Sequence, residues 1–178
     1  MALDYDLVRR DNRTWQEIFN RRPLAQSLTV GRLLTRESQS IFGAVIVDLG
    51  SENTLRPVAV GDLALSGDVA LGEVTAVYPQ TAKVQLYSTA GRQLEVLIGE
   101  ERLPAPAIGR GGGNFYASLP RDLAIKIGMP VTVLIGAREY LLGVVKVVDR
   151  DPSEAFQKIL FRSPVNLILL SWLEIYGS

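Results

Sequence analysis

The chain of 178 residues contains no cysteine and no histidine. Without cysteine there are no disulfides, no thiol nucleophile and no cysteine-rich zinc site. Without histidine there is no Ser-His or Cys-His pair and no base that titrates near neutral pH. Only a carboxylate cage for Mg²⁺ or Ca²⁺, or a Ser-Lys dyad, stays open on residue types alone. Charge of one sign is also missing: 19 basic and 19 acidic side chains cancel. A neutral chain lacks the broad positive field of a nucleic-acid binder. Residues 1–36 carry seven arginines against four acids, a net of +3 offset by −3 in the remainder. That polarity is small and fits a solvated helix face. No apolar run approaches the roughly 18 to 20 residues of a membrane span. The longest, Leu167-Ile168-Leu169-Leu170 with Trp172 and Leu173, has the length of a strand. A secretory leader is not visible, since Asp4 and Asp6 follow Leu3 directly. Met1-Ala2 running straight into mid-helix sequence reads as an engineered start, with the native chain expected to extend further upstream.

What the chain does have is a repeat. Gly61, Gly72, Lys83 and Ser88 are separated by 11, 11 and 5 residues; Gly128, Gly143, Lys158 and Ser163 by 15, 15 and 5. Each first glycine opens a strand-like run, and each second glycine follows a leucine inside one. Longer hairpin loops in the second copy would explain the difference, because loops tolerate insertion better than strands. Gly72 and Gly143 read as a bulge or a tight barrel bend, and Gly61 and Gly128 as the turns that start matching strands. Lys83 and Lys158 read as solvent-facing strand residues. Each half is small for an independent core, so the two are expected to pack on one another or on a partner.

Residues 4–21 lack glycine and proline, and Pro23 ends the pattern, which predicts a helix. Tyr5, Val8, Asn12, Trp15 and Phe19 are spaced 3, 4, 3 and 4, the seam of a two-stranded coiled coil. Asn12 would be the buried polar residue that fixes its register. A helix packed on its own domain satisfies the same stripe. From Leu24 onward the texture is β. Strands are expected near 27–34, 43–49, 62–65, 69–78, 82–88 and 93–98, and again near 114–118, 123–127, 131–135, 139–149, 157–162 and 166–176. Six short strands per half predict a mainly β fold: two small six-stranded β-barrel domains in tandem after a short N-terminal helix. The boundaries are 1–22 for the coiled-coil tail, 23–103 for the first barrel and 104–178 for the second.

Pro104, Pro106 and the run Gly109-Arg110-Gly111-Gly112-Gly113 read as an inter-domain linker, with Gly109, Gly111, Gly112 and Gly113 as its flexible part. The run lacks the Gly-Lys-Ser/Thr ending of a P-loop, and strand-like Asn114-Phe115-Tyr116-Ala117 follows it rather than a helix. Glu100-Glu101 and Asp149 with Asp151 are the close acidic pairs, and both sit in loop sequence where solvated turn residues are the default. No acid is partnered to an identifiable nucleophile. No catalytic, cofactor-binding or metal residue is therefore nominated, and the chain is not expected to be an enzyme.

Taken in order, these pieces resemble a known family. They are Arg10-Asp11-Asn12, Leu34-Thr35-Arg36, Val45-Ile46-Val47-Asp48-Leu49-Gly50-Ser51, Val60-Gly61-Asp62, Leu71-Gly72-Glu73-Val74 and Lys83-Val84-Gln85-Leu86. Lys126-Ile127-Gly128, Leu142-Gly143-Val144-Val145, Phe156-Gln157-Lys158-Ile159 and Ser163-Pro164-Val165-Asn166-Leu167 follow. Over nearly the whole chain this resembles the periplasmic part of MreC, the bacterial rod shape-determining family. The resemblance implies two six-stranded barrels after a dimerising coiled coil, with Tyr5, Val8, Asn12, Trp15 and Phe19 at the dimer interface. It implies a homodimer, with filament formation open, that serves as a non-enzymatic scaffold for cell-wall elongation. The implied partners are MreD, RodZ and the class B penicillin-binding protein, on the extracytoplasmic face of the membrane, held by an N-terminal transmembrane helix outside this sequence. Gly128-Met129 followed by Val133-Leu134-Ile135-Gly136 departs from the family's Gly-Asp and Thr-Ser-Gly pattern, and the glycine run at 109–113 is unusually rich.

Two other classes compete. A small-barrel nucleic-acid-binding module could use Tyr78, Tyr87, Phe115 and Tyr116 as stacking platforms, although neutral charge opposes it. A protease on a double barrel has the architecture but not the histidine.

Overall fold

In a computed structural model, residues 28–35, 43–52 and 56–177 are described. Tyr5, Val8, Asn12, Trp15 and Phe19, with the predicted helix and the tail of residues 1–22, lie outside the described residues. No helix occurs among those described, and twelve strands form one hydrogen-bonded sheet.

Six strands close on themselves. They are β6 (Gln93–Ile98), β7 (Leu103–Gly111), β8 (Asn114–Pro120), β9 (Pro130–Ile135), β10 (Arg138–Asp149) and β11 (Phe156–Arg162). Around the ring the order is β6–β7–β8–β11–β10–β9, and β9 returns to β6 through Leu97–Thr132 and Ile98–Val131. Every pairing is antiparallel. Strict alternation puts Ala105, Ala107, Phe115, Ala117, Leu119, Val131, Val145, Ile159 and Phe161 inside. Phe115 and Phe161 stack at the centre, 4.8 Å between centroids and 4° from parallel. The alanines of β7 and β8 leave room for that pair, as a narrow barrel requires.

The remaining strands are β1 (Leu28–Arg32), β2 (Ala44–Val47), β3 (Leu63–Ser66), β4 (Val69–Val77), β5 (Ala82–Leu86) and β12 (Trp172–Tyr176). They pair in the order β1–β12–β3–β4–β5–β2. The two ends of this row meet at the Leu33–Val47 bridge, flanked by Leu34 N–H to the Ile46 carbonyl (2.8 Å) and Asp48 N–H to the Arg32 carbonyl (3.0 Å). Val47, Ala64, Leu71, Val74, Val84, Leu173 and Ile175 form its core.

Strand β3 shows how the two groups join. Ala64 faces the core of the row, while Leu63 and Leu65 pack into the barrel's apolar cluster. The strand is buried on both faces, so its sequence reads as a continuous apolar run. Strand β10 makes the reciprocal contribution: Leu141 packs into the row and pairs in parallel with Val69 of β4.

The pairing does not follow a division at residue 103. Strand β6, on the N-terminal side of that boundary, belongs to the closed barrel, and β12, on the C-terminal side, sits between β1 and β3. The closed barrel is thus one continuous stretch inserted between β5 and β12, and the row is completed only when the chain returns.

Residues 109–113 are not a linker. Gly109 and Gly111 lie in β7, Gly112 and Gly113 make the turn into β8, and Arg110 is a bulge residue between Gly109 and Gly111. Prolines 104 and 106 hid this strand, but they pair only with β6; the ladder to β8 begins at Ala107, where the missing N–H groups no longer matter. The segment expected as a strand at 123–127 is instead an irregular plug. Leu123 and Ile125 do turn inward, but their carbonyls accept side-chain hydrogen bonds rather than a neighbouring strand.

The repeat is visible in space. Gly61 N–H donates to the Val74 carbonyl (2.9 Å) as Gly128 N–H donates to that of Val145 (2.8 Å), with φ of 94° and 91°. Leu71 and Leu142 are the extra residues of matching bulges just before Gly72 and Gly143. The third strand differs from the sequence alignment. Val74 pairs with Val84 and Val145 with Phe161, so Val84 corresponds to Phe161 and not to Ile159. The slip is two residues, which preserves the inward face and leaves no trace in the hydrophobic pattern.

Candidate interaction surface

Among the described residues, the barrel interior is filled by apolar side chains. Among the described residues no group of three acids could hold a metal ion, and no buried side-chain nitrogen or oxygen lacks a hydrogen-bond partner. Glu100 and Glu101 sit in the turn between β6 and β7, and Asp149 ends β10 opposite Lys158. Asp151 accepts from Ser153 Oγ (2.7 Å) and N–H (2.8 Å), a closed turn whose hydrogen bonds hold its carboxyl below the usual range.

Buried polar groups serve the fold. Asp62 accepts from Arg56 (3.0 Å) and from Ala59 N–H (2.9 Å). Gln157 is fully buried and ties the plug to the barrel: its amide donates to the carbonyls of Pro120 (2.9 Å) and Leu123 (2.7 Å) and accepts from Arg150 Nε (2.9 Å). Neither role has a signal in the one-dimensional pattern: Asp62 accepts from a side chain and a backbone N–H of the preceding loop, and Gln157 donates to two loop carbonyls.

A third cluster sits where the barrel meets the row. Arg92 lies 4.8 Å over the ring of Tyr87 and pairs with Glu73. Burial, reinforced by the Glu73 charge and partly offset by Arg92, pushes the Tyr87 phenol up to about 12. The glycine hairpin is seated beside it: Gly109 N–H bonds the Arg92 carbonyl (2.8 Å), Gly111 N–H that of Ser88 (2.6 Å), and Gly113 N–H the Ser88 hydroxyl (3.1 Å). A side chain on Gly109 would overlap the Thr89 carbonyl oxygen, so close backbone approach is what Gly109 provides, whereas Gly111 and Gly113 supply positive φ. Gly72 makes the same close approach to Gln85, and Gly143 packs against Arg162 and Phe161, whereas Gly61 and Gly128 face open space and serve their positive φ.

Of the aromatic side chains weighed as stacking platforms, Tyr87 and Phe115 are buried and present no face to a base. Tyr78 is exposed and Tyr116 half-buried. Exposed apolar side chains instead gather on β1, β12 and the segment before β12. Leu28 and Val30 point outward from β1, Trp172 is 57% exposed directly opposite Arg32, and Ile168 and Leu169 are 72% and 76% exposed. These side chains lie on the exterior of the fold.

A profile of the rod shape-determining protein MreC, barrel core, matches residues 33–176. The chain belongs to the MreC family. The match begins at the bridge that joins β1 to β2 and ends in β12, so it takes in the inserted barrel and the returning strand together. Among solved structures, MreC from Pseudomonas aeruginosa superposes with a TM-score of 0.73 at 20% identity, covering 84% of this chain and 99% of that one. The major periplasmic domain of the cell shape-determining filament MreC gives 0.59 at 15% identity, over 84% and 95%. MreC in a complex with the penicillin-binding protein PBP2, from Helicobacter pylori, gives 0.53 at 13%, over 85% and 99%. At these identities the likeness is one of fold. A comparison with curated protein sequences gives no significant match.

Proposed function

We propose that this chain is a non-enzymatic, extracytoplasmic scaffold that self-associates and organises cell-wall elongation proteins to maintain rod shape. The observation that carries the reading is the MreC barrel-core match across residues 33–176, on a fold whose interior is packed and whose exterior is apolar in places. A relative of like fold is a periplasmic domain of a filament, and another was solved bound to a penicillin-binding protein. A class B penicillin-binding protein is accordingly the first partner, with MreD and RodZ as further members of the assembly. Residues 1–22 form a coiled-coil tail helix that pairs two chains through Tyr5, Val8, Asn12, Trp15 and Phe19. A transmembrane helix upstream holds the dimer at the membrane. The row of six strands is a second barrel, sealed by the Leu33–Val47 bridge, so that residues 93–162 form one unit and residues 28–86 with 172–176 the other.

Two measurements test this. Joined to a membrane anchor, the chain is expected to restore rod shape to cells of its source organism depleted of their own MreC, and to co-purify with the class B penicillin-binding protein. Round cells despite stable export would overturn the scaffold reading. Sedimentation of the purified chain addresses self-association, and a strict monomer at high concentration would remove the dimer.

A further inference from the structure

Most described arginines are engaged. Arg32, Arg56, Arg92 and Arg102 each meet a carboxylate, while Arg121, Arg138 and Arg150 donate to carbonyl, phenol or amide oxygens. Arg110 and Arg162 show no such partner among the described residues, and both line one groove of about 500 Å³ on the barrel exterior. Lys146 lines it too, and no acid does.

The placement comes from the strands. Arg110 is the bulge residue of β7 and Lys146 that of β10, where pairing skips from Val145 to Val147. Bulges re-aim a side chain and bend the surface locally. Arg162 sits between them, opposite Asn114 of β8 and Val144 of β10. The cations therefore span β7, β8, β11 and β10, about 14 Å at the usual strand spacing. Val147 and Leu160 make an apolar floor, with Phe115 and Phe161 beneath.

The row of six strands serves as an internal control. At the matching bulge, between Val74 and Ala76, it has Thr75; opposite Glu73, where the barrel has Arg162 opposite Val144, it has Gln85. The architecture forms with neutral side chains at both places, so folding does not require these cations.

We propose that this groove binds an acidic peptide segment of a partner protein, with carboxylates on the rim cations and an apolar side chain between them on Val147 and Leu160. Alternating residues of an extended peptide lie about 7 Å apart, a spacing that reaches cations on neighbouring or next-neighbouring strands. Arginine favours paired hydrogen bonds to carboxylate. A phosphodiester chain would satisfy the cations but leave the floor uncovered.

The test uses the whole 178-residue chain and a fluorescent ten-residue peptide alternating glutamate and leucine, read by anisotropy. Binding should weaken as salt rises, and by about tenfold or more in the R110Q/R162Q double variant, since each tenfold is 1.4 kcal/mol. Leu160→Ser should weaken it with the salt dependence retained. Both variants must melt within a few degrees of the parent; if the double variant does not, K146Q, on an exposed bulge, takes its place, and if Leu160→Ser does not, Val147→Ser does. Equal binding by parent and charge variants, no binding at millimolar peptide, or preference for a phosphodiester oligomer over the peptide would each overturn the proposal. The groove stands apart from the scaffold reading: failure here leaves cell-shape complementation untouched.

Discussion

Arg56 and Asp62 form an ion pair of 3.0 Å in which the carboxylate is almost fully buried while the guanidinium is a quarter exposed. The two ends are thus unequal. Removing Arg56 strands a buried charge, whereas removing Asp62 leaves a cation that water can reach.

Arg56→Ala is expected to cost about 3 kcal/mol and Asp62→Ala about 2 kcal/mol, read from urea midpoints. Gly177 lies against the Arg56 guanidinium, where an added methyl would overlap it. Gly177→Ala should therefore cost about 1 to 2 kcal/mol in the parent and close to nothing in the Arg56→Ala background. Additive losses in that cycle would show that Gly177 acts elsewhere.

Gln157→Leu keeps the volume and removes three hydrogen bonds at once, leaving the carbonyls of Pro120 and Leu123 and the Arg150 Nε–H without their partner. A loss of about 2 to 4 kcal/mol is expected. Hydrogen exchange should quicken first in residues 121–128, the plug it holds.

Glycines separate into two kinds. Gly72→Ala drives a methyl into the Gln85 carbonyl across the β4–β5 ladder, and Gly109→Ala into that of Thr89. Each should lower stability by about 3 kcal/mol. Gly67, at φ 60° in the turn between β3 and β4 with nothing within 4 Å, should lose only about 1 kcal/mol on the same change. Thermal melts of the three variants rank them directly.

The Tyr87 phenol, raised to about 12, gives a stability term with a definite sign. Above about pH 10 the unfolded chain loses this proton while the folded chain keeps it. The contribution is complete below pH 10 and is lost as pH rises toward 12, by an amount on the order of 2 kcal/mol. Tyr87→Phe removes the titrating group, so the parent should lose stability relative to the variant by that amount as pH rises from 10 to 12. Parallel curves would show that Tyr87 titrates normally.

How much of this was legible in the sequence varied with the kind of contact involved. Strands such as β6 and β9 announced themselves through β-branched runs, and the Gly61/Gly128 and Gly72/Gly143 equivalences survive in the hydrogen bonds. Strand β7 did not, because its inward positions are Ala105, Ala107, Gly109 and Gly111, too small to register as an apolar face. The two-residue offset of β11 was invisible for a geometric reason: an even slip keeps inside residues inside. The ownership of β6 and β12 depends on which edge each strand meets after folding, and no local pattern encodes that. The groove of Arg110, Lys146 and Arg162 joins residues from three strands, and two of its members sit on bulges that shift the alternation by one.

Because β12 fills the gap between β1 and β3, synthesis order sets a constraint on assembly. Residues 93–162 hold every strand of the closed barrel and can complete it as soon as they emerge. Strands β1 to β5, made earlier, must wait with the flanks of β1 and β3 unpaired until residues 172–176 arrive. During that interval a passing extended segment finds an empty berth there. The interval between synthesis of β1 and of β12 therefore bears on the older half of the chain more than on the younger.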